Sequence, residues 1–294
     1  MVNGFVVVDK PVGLSSHDVV GRIRRLFNTK KVGHTGTLDP FATGVLPVAI
    51  GEATKSIQFL DERVKVYRAE LLLGVTTDSY DHTGTVLRRV DSPSVSRSAL
   101  EEVLKQFIGQ IDQIPPMYSA IKKDGTPLYR LARKGIEVER PARSITIASL
   151  ELESFHDNRA EFVVTCSRGT YVRSLAHDIG QALGCGACLS GLRRLASGPF
   201  TIEQAVSLET LGEYAAAGTL ETVVIPFEQG LKHLKSIELT PAYAVRVVSG
   251  VLPHRCAAEL MAGHYLLTVN GLAVAVAEAD GVGGGRIVRG FNQE

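Results

Sequence analysis

One stretch of 19 residues, Gly33-His-Thr-Gly-Thr-Leu-Asp-Pro-Phe-Ala-Thr-Gly-Val-Leu-Pro-Val-Ala-Ile-Gly51, constrains this chain more than any other. It carries a single acid, Asp39, between Leu38 and Pro40, with glycines at 33, 36, 44 and 51. A residue preceding proline is pushed out of the helical region into extended or turn geometry. Asp39 is therefore not one more solvated acid on a helix face. The glycines let backbone approach backbone, or a ligand, without a Cβ in the way. Asp-Pro alone is a turn former; its glycine-rich setting makes it a candidate for presenting a carboxylate at a fixed place.

The chain has 294 residues, room for one large domain or a large one with a small companion. A hydrophobic content of 45% and a charged content of 21% describe an ordinary globular protein. The opening Met-Val-Asn-Gly-Phe-Val-Val-Val-Asp-Lys has too short an apolar run and no basic start for a signal peptide. No stretch approaches the roughly 18 apolar residues of a membrane helix, so no membrane role and a cytoplasmic location are expected. Cys185-Gly-Ala-Cys188 spells C-x-x-C, with Cys166 and Cys256 elsewhere. A zinc site needs four ligands, and no second pair accompanies it. A redox motif would follow a strand, whereas this one follows a helical pattern ending at Gly184. Packing thiols, without metal or cofactor, are the expectation.

A net charge of +1 argues against a nucleic-acid partner in bulk. Its distribution argues the other way, since phosphate binding depends on local potential. Residues 19–35 hold Arg22, Arg24, Arg25, Lys30 and Lys31 and no acid, and residues 115–145 hold seven basic residues against three acidic ones.

Phe5 to Asp9 reads as a short buried strand entering Lys10-Pro11. Ser15 or Ser16 offers an N-cap for a helix with Val19, Val20, Ile23, Leu26 and Phe27 at helical spacing. Tyr67 to Gly74 is β-rich and bounded by the turn-like Asp78 to Gly84. Ser98 with Glu101 reads as a capping box for a helix carrying Leu100, Val103, Leu104, Phe107 and Ile108. Ile114 to Arg143, with prolines at 115, 116, 127 and 141 and basic clusters between them, suits an extended, mobile insertion. Antiparallel strands are expected around the turn His156 to Arg159, then a helix striped by Val172, Leu175, Ala176, Ile179 and Leu183. Near the end, Asn270-Gly271 supplies the positive φ values of a type I′ hairpin turn. Gly281 to Gly285 opens no helix, so it is not a dinucleotide loop.

The 33–51 segment resembles, nearly position for position, the active-site motif of the B family of tRNA pseudouridine synthases. Matches at Lys10-Pro11, at Asp39 and around Arg173 occur in that family's order, and the similarity spans about residues 4–235. The resemblance implies an α+β catalytic domain over residues 1–236, built on a mixed, mainly antiparallel sheet flanked by helices. A basic thumb at about 115–145 and a small β-barrel-like PUA RNA-binding domain over 237–294 complete it. It also implies the reaction: uridine 55 in the T-arm loop of tRNA becomes pseudouridine, with the target base flipped out and no cofactor. Breaking a C–N glycosidic bond and reforming it through carbon wants a carboxylate that forms a transient covalent adduct on the sugar or on the base. It also wants aromatic stacking to offset unstacking of the target.

By this resemblance Asp39 is the nucleophile and Arg173 pairs with it, keeping it ionised and oriented. Tyr67 stacks on the base and helps remove the C5 proton. Lys10 shapes the floor, His34 enters the loop as bases flip, Leu192 lines the base pocket, and Arg193 or Arg194 touches phosphate. The implied partner is the T stem-loop of tRNA, bound by a monomer with no obligatory protein partner. Three rivals remain: a non-catalytic tRNA-binding or folding chaperone, a nucleosidase using Asp39, and a guide-RNA-dependent relative. A nucleosidase would need a second acid that the sequence does not nominate. The thumb-like insertion and the lack of a Lys-rich tail favour the stand-alone type.

Overall fold

A computed structural model describes residues 2–91, 93–248 and 260–292. The chain runs β1 (Gly4–Lys10), α1 (Ser16–Leu26), β2 (Val32–His34), β3 (Thr43–Ile50), β4 (Val64–Leu73), β5 (Val75–Thr77), β6 (Val86–Arg89), α2 (Arg97–Gln106) and β7 (Gly109–Gln113). It continues through β8 (Lys122–Lys123), β9 (Thr126–Pro127), α3 (Leu128–Ala132), β10 (Arg143–His156), β11 (Arg159–Ser167), α4 (Val172–Ala182), β12 (Ala187–Ser197), β13 (Phe200–Thr201) and α5 (Leu208–Ala216). One sheet of nine strands carries the order β1-β3-β12-β4-β11-β10-β7, with β2 against β3 and β13 against β12. Only β3 and β12 run parallel within it; the other pairs are antiparallel. The architecture is α+β on a mixed, mainly antiparallel sheet.

β1 shows why its sequence is an unbroken apolar run. Val6 and Val8 point into the core that α1, α4 and α5 cover. Phe5 and Val7 point to the opposite face, which is buried as well. A strand covered on both sides has no polar alternate positions. α1 starts at an N-cap, Ser15, whose side chain and backbone exchange hydrogen bonds with Asp18. α2 corrects the sequence reading: its N-cap is Ser96, whose Oγ accepts from Ala99 N. Glu101 is drawn instead to Arg97 one turn back, at 2.8 Å.

The 115–145 insertion is more ordered than its composition implied. It forms the β8–β9 hairpin and α3, with Leu128 and Met117 buried. Its last residues, from Arg143, already belong to β10.

After α6 (Phe227–Gly230), a second sheet of four strands takes the order β14 (Lys235–Glu238), β15 (Gly263–Val269), β16 (Leu272–Ala279), β17 (Gly285–Gly290), with α7 (Pro241–Val248) between its first two. Asn270 and Gly271 join β15 to β16 at φ values of 52° and 75°, the type I′ geometry. Leu266, Ala273, Val276 and Phe291 of this module pack with Phe5, Val7, Val45 and Phe227, so the two sheets share an apolar core. Cys166, Cys185 and Cys188 are buried free thiols; Cys256 lies outside the described residues. No helix among the described residues is long and apolar enough to cross a membrane.

Candidate active site

The loop from Gly36 to Ala42 is held at almost every residue. Arg194 donates to the carbonyl oxygens of Gly36 (3.1 Å), Thr37 (3.4 Å) and Val45 (2.7 Å). Ser16 Oγ donates to the Leu38 carbonyl and accepts from Leu38 N. Ala42 N donates to the Asp39 carbonyl, and the Pro40 carbonyl accepts from Gly13 N and Lys10 Nζ. With its backbone pinned and Leu38 buried, the loop presents the Asp39 carboxylate, 34% exposed.

Arg173 meets that carboxylate from the second residue of α4 and is itself 5% exposed. Its Nε lies 2.9 Å from Asp39 Oδ2 and its Nη2 donates to Asp39 Oδ1 at 3.1 Å, a two-pronged fork. The remaining donors reach the Tyr118 carbonyl at 2.8 Å, the Ser79 carbonyl at 3.2 Å and Asp81 Oδ2 at 3.4 Å. The start of α4 is fixed by Gln113 at the end of β7, which exchanges two hydrogen bonds with the Tyr171 backbone. Burial raises the Asp39 carboxyl above the ordinary range; the Arg173 charge pulls it back and Asp81 adds to the upward push.

A cavity of about 810 Å³ opens in front of this pair, walled by Tyr67, Leu192, Lys65, Tyr118 and Tyr171. Tyr67 is 7% exposed and in register with Arg194 across β4 and β12. Burial raises its phenol above the ordinary value, and the Arg194 charge beside the hydroxyl opposes that.

The other expected residues divide sharply. Leu192 lines the cavity. Lys10 is fully buried, donating to the carbonyls of Pro11, Leu14 and Pro40, and its ammonium is lowered to about 8 mainly by burial. It braces the Asp39 loop and cannot touch substrate. Arg194, also fully buried, corrects the phosphate-contact expectation, because its donors are consumed by the loop carbonyls. Arg193 points the other way and forks onto Asp9 at 3.0 and 2.7 Å. His34 stands on β2, half-buried, outside the cavity wall, with its Nδ1 unpartnered among the described residues. Burial lowers its pKa, with Arg194 and His17 adding to the effect.

Asp81 escaped the sequence reading, which treated Asp78 to Gly84 as a turn only. The turn is real: Asp81 Oδ1 accepts from Ser79 Oγ, Thr83 N and Thr83 Oγ1. Its other oxygen faces a guanidinium 92 positions away, which no local pattern announces. Asp81 is 3% exposed, and both of its carboxylate oxygens are engaged by these partners.

Comparison with known proteins agrees with this geometry. A family model described as TruB family pseudouridylate synthase (N terminal domain) matches residues 24–172. One described as tRNA pseudouridylate synthase B C-terminal domain matches residues 173–232. The tRNA pseudouridine synthase B of Geobacter sulfurreducens is 51% identical over 285 residues, covering 95% of this chain and 94% of the relative. That of Pseudomonas aeruginosa (strain UCBPP-PA14) is 48% identical over 242 residues, covering 81% and 79%. Among solved structures, a Cbf5-Nop10-Gar1 complex aligns with TM-score 0.73 and 28% identity, covering 99% of this chain and 84% of that one. An H/ACA RNP bound to a substrate RNA containing 2′-deoxyuridine aligns with TM-score 0.74 and 25% identity, covering 98% and 85%. The motif order, the forked carboxylate and these matches give one result: the chain belongs to the TruB family of pseudouridylate synthases.

Proposed function

We propose that this chain converts uridine 55 in the T-arm loop of tRNA to pseudouridine, with Asp39 as nucleophile. The observation that carries the reading is the Asp39–Arg173 fork, opening on a cavity walled by Tyr67 and Leu192. The flipped uridine enters that cavity and stacks on the Tyr67 ring, which offsets part of the few kcal/mol lost on unstacking. Asp39, ionised and held in one orientation by the fork, forms a transient bond to the target nucleotide. The N1–C1′ bond breaks, the base turns within the cavity, and the C5–C1′ bond forms. The C5 proton leaves and N1 gains one, so the product is an isomer and nothing is consumed. The Tyr67 hydroxyl takes part in removing the C5 proton, and the Arg194 charge beside it eases transient loss of the phenolic proton.

The remaining parts hold RNA. The β8–α3 insertion carries Lys122, Lys123, Arg130, Arg133 and Lys134, and its Tyr129 and Arg133 form part of the cavity wall. His34 assists flipping, and the module from Lys235 onward is a PUA-like RNA contact. The protein works as a single cytoplasmic chain without a guide RNA, a reading supported by identities near 50% to tRNA pseudouridine synthase B against 28% to the Cbf5 chain.

The test is Asp39→Ala on an unmodified tRNA transcript, with pseudouridine mapped by chemical tagging and primer extension. Turnover should vanish while tRNA binding stays near wild type. Turnover in the variant removes Asp39 as nucleophile, and a signal outside the T loop revises the substrate.

A further inference from the structure

Lys65 has no part in the network above, yet it stands in the same cavity. It lies two residues before Tyr67 on β4, and residues two apart on a strand share a face. The inward face of β4 thus runs Lys65, Tyr67, Ala69, Leu71, and Lys65 forms its rim at the cavity wall. Space is kept for its ammonium. A Cβ at Gly36 would fall 2.8 Å from Lys65 Nζ, so the ammonium lies directly against the nucleophile loop.

Lys65 is half-buried, and among the described residues its ammonium makes neither a hydrogen bond nor an ion pair. Its neighbours add positive charge: Arg194 and Arg168 both act on it, and burial with Arg194 lowers its pKa. Glu62 is the nearby carboxylate, too far for an ion pair, and its own Oε1 is buried without a partner. Lys65 thus faces the cavity with no acceptor bonded to its ammonium among the described residues.

We propose that Lys65 binds a phosphate flanking the target nucleotide, so that ring and ammonium from one strand face grip base and backbone of the same residue. This rests on the RNA reading above. It fits the distribution of charge in the site, because Arg173, Arg193 and Arg194 are each committed to protein acceptors, whereas Lys65 is uncommitted.

The test uses the full chain and T-arm stem-loop RNAs carrying an uncharged methylphosphonate at the 5′ or 3′ phosphate of the target, or at a stem phosphate as control. Wild-type turnover of the unmodified RNA checks the function independently; its absence removes the RNA reading rather than the Lys65 assignment alone. Lys65→Met should raise KM and Kd about tenfold and reduce the salt slope of binding by about 0.7, the share of one single-strand phosphate contact. One flanking methylphosphonate should cost wild type a similar factor and cost Lys65→Met nothing further, while the stem control costs both equally. Lys65→Arg should bind nearly as wild type. Additive losses at both flanks overturn the proposal, as does unchanged binding. A fall in kcat at constant KM with a displaced pH profile also overturns it, making Lys65 a proton-transfer group. Because Lys65 makes no hydrogen bond or ion pair among the described residues, Lys65→Met should melt no lower than wild type; marked destabilisation or failure to fold makes Lys65 the counter-ion of Glu62 instead.

Discussion

Arg173→Lys keeps the positive charge and removes the fork. In the native site five contacts run from one guanidinium to four partners: 2.9 and 3.1 Å to Asp39, 2.8 Å to the Tyr118 carbonyl, 3.2 Å to the Ser79 carbonyl and 3.4 Å to Asp81. A lysine ammonium is a point source with three donors and cannot span both carboxylates and hold Asp39 by two oxygens. Losing one charge-assisted bond to the nucleophile costs about 1.5–3 kcal/mol, and freeing its orientation costs more. A total near 3–4 kcal/mol corresponds to roughly 10²–10³ in rate at about 1.4 kcal/mol per decade. Tritium release from a C5-labelled uridine in tRNA reads this directly, since the C5 hydrogen leaves during isomerisation. The pH profile adds a second readout. Burial raises Asp39 and Arg173 pulls it down, so a weaker partner lets it rise further. The acidic limb of kcat/KM should therefore move to higher pH in the variant. A variant within fivefold of wild-type turnover, with an unmoved limb, would show that the fork does not prepare the nucleophile.

Tyr67→Phe keeps the stacking ring and removes the hydroxyl; binding should stay near wild type while turnover falls about 10²-fold, and full turnover would leave stacking as the only role. Arg194→Lys should destabilise the fold by about 2–4 kcal/mol in thermal or denaturant unfolding, through buried carbonyls left unpaired. Its salt slope of tRNA binding should equal that of wild type; a slope lower by about 0.7–0.9 would restore Arg194 as a phosphate contact. Asp178, half-buried on α4, is raised by burial to about 6. Its folded value lies above its unfolded one, so the stabilisation is present below about pH 4 and lost as pH rises through 6. Asp178→Asn should accordingly gain about 1–2 kcal/mol at pH 7.5, discounted for its partial exposure, and the difference should close by pH 4.

Local signals were readable where the chain itself makes the interaction. The Ser15 cap, the Asn270-Gly271 turn and the stripe of α4 each involve neighbours within a turn or two. The Ser96 cap was missed because Ser98 fits the same pattern, and the choice is made by Arg97 attracting Glu101. Arg193 and Arg194 are harder. Adjacent residues in a strand face opposite ways, so one basic dipeptide supplies a half-exposed partner for Asp9 and a wholly buried clamp. Which arginine takes which role depends on what lies on either side of β12, and that is fixed by pairing with β3 and β4.

That pairing is what turns separated motifs into a site. In one row across the sheet, Tyr67 of β4 is opposite Arg194 of β12, and Arg194 is opposite Gly44 of β3. Strands stand about 4.8 Å apart, so the stacking ring and the strand that follows the nucleophile loop are set about 10 Å from each other by two steps of backbone. A slip of one residue in β12 would turn Arg194 outward and bring Arg193 beneath the loop, removing the clamp on Gly36, Thr37 and Val45. Gly44 makes the row possible. It sits at φ 95°, and a Cβ there would meet the Arg194 carbonyl oxygen at 2.2 Å. The glycine that marks the Asp39 motif in the sequence therefore serves the sheet more directly than the substrate: it lets the parallel β3–β12 pair close tightly enough for a buried arginine to hold the nucleophile loop still.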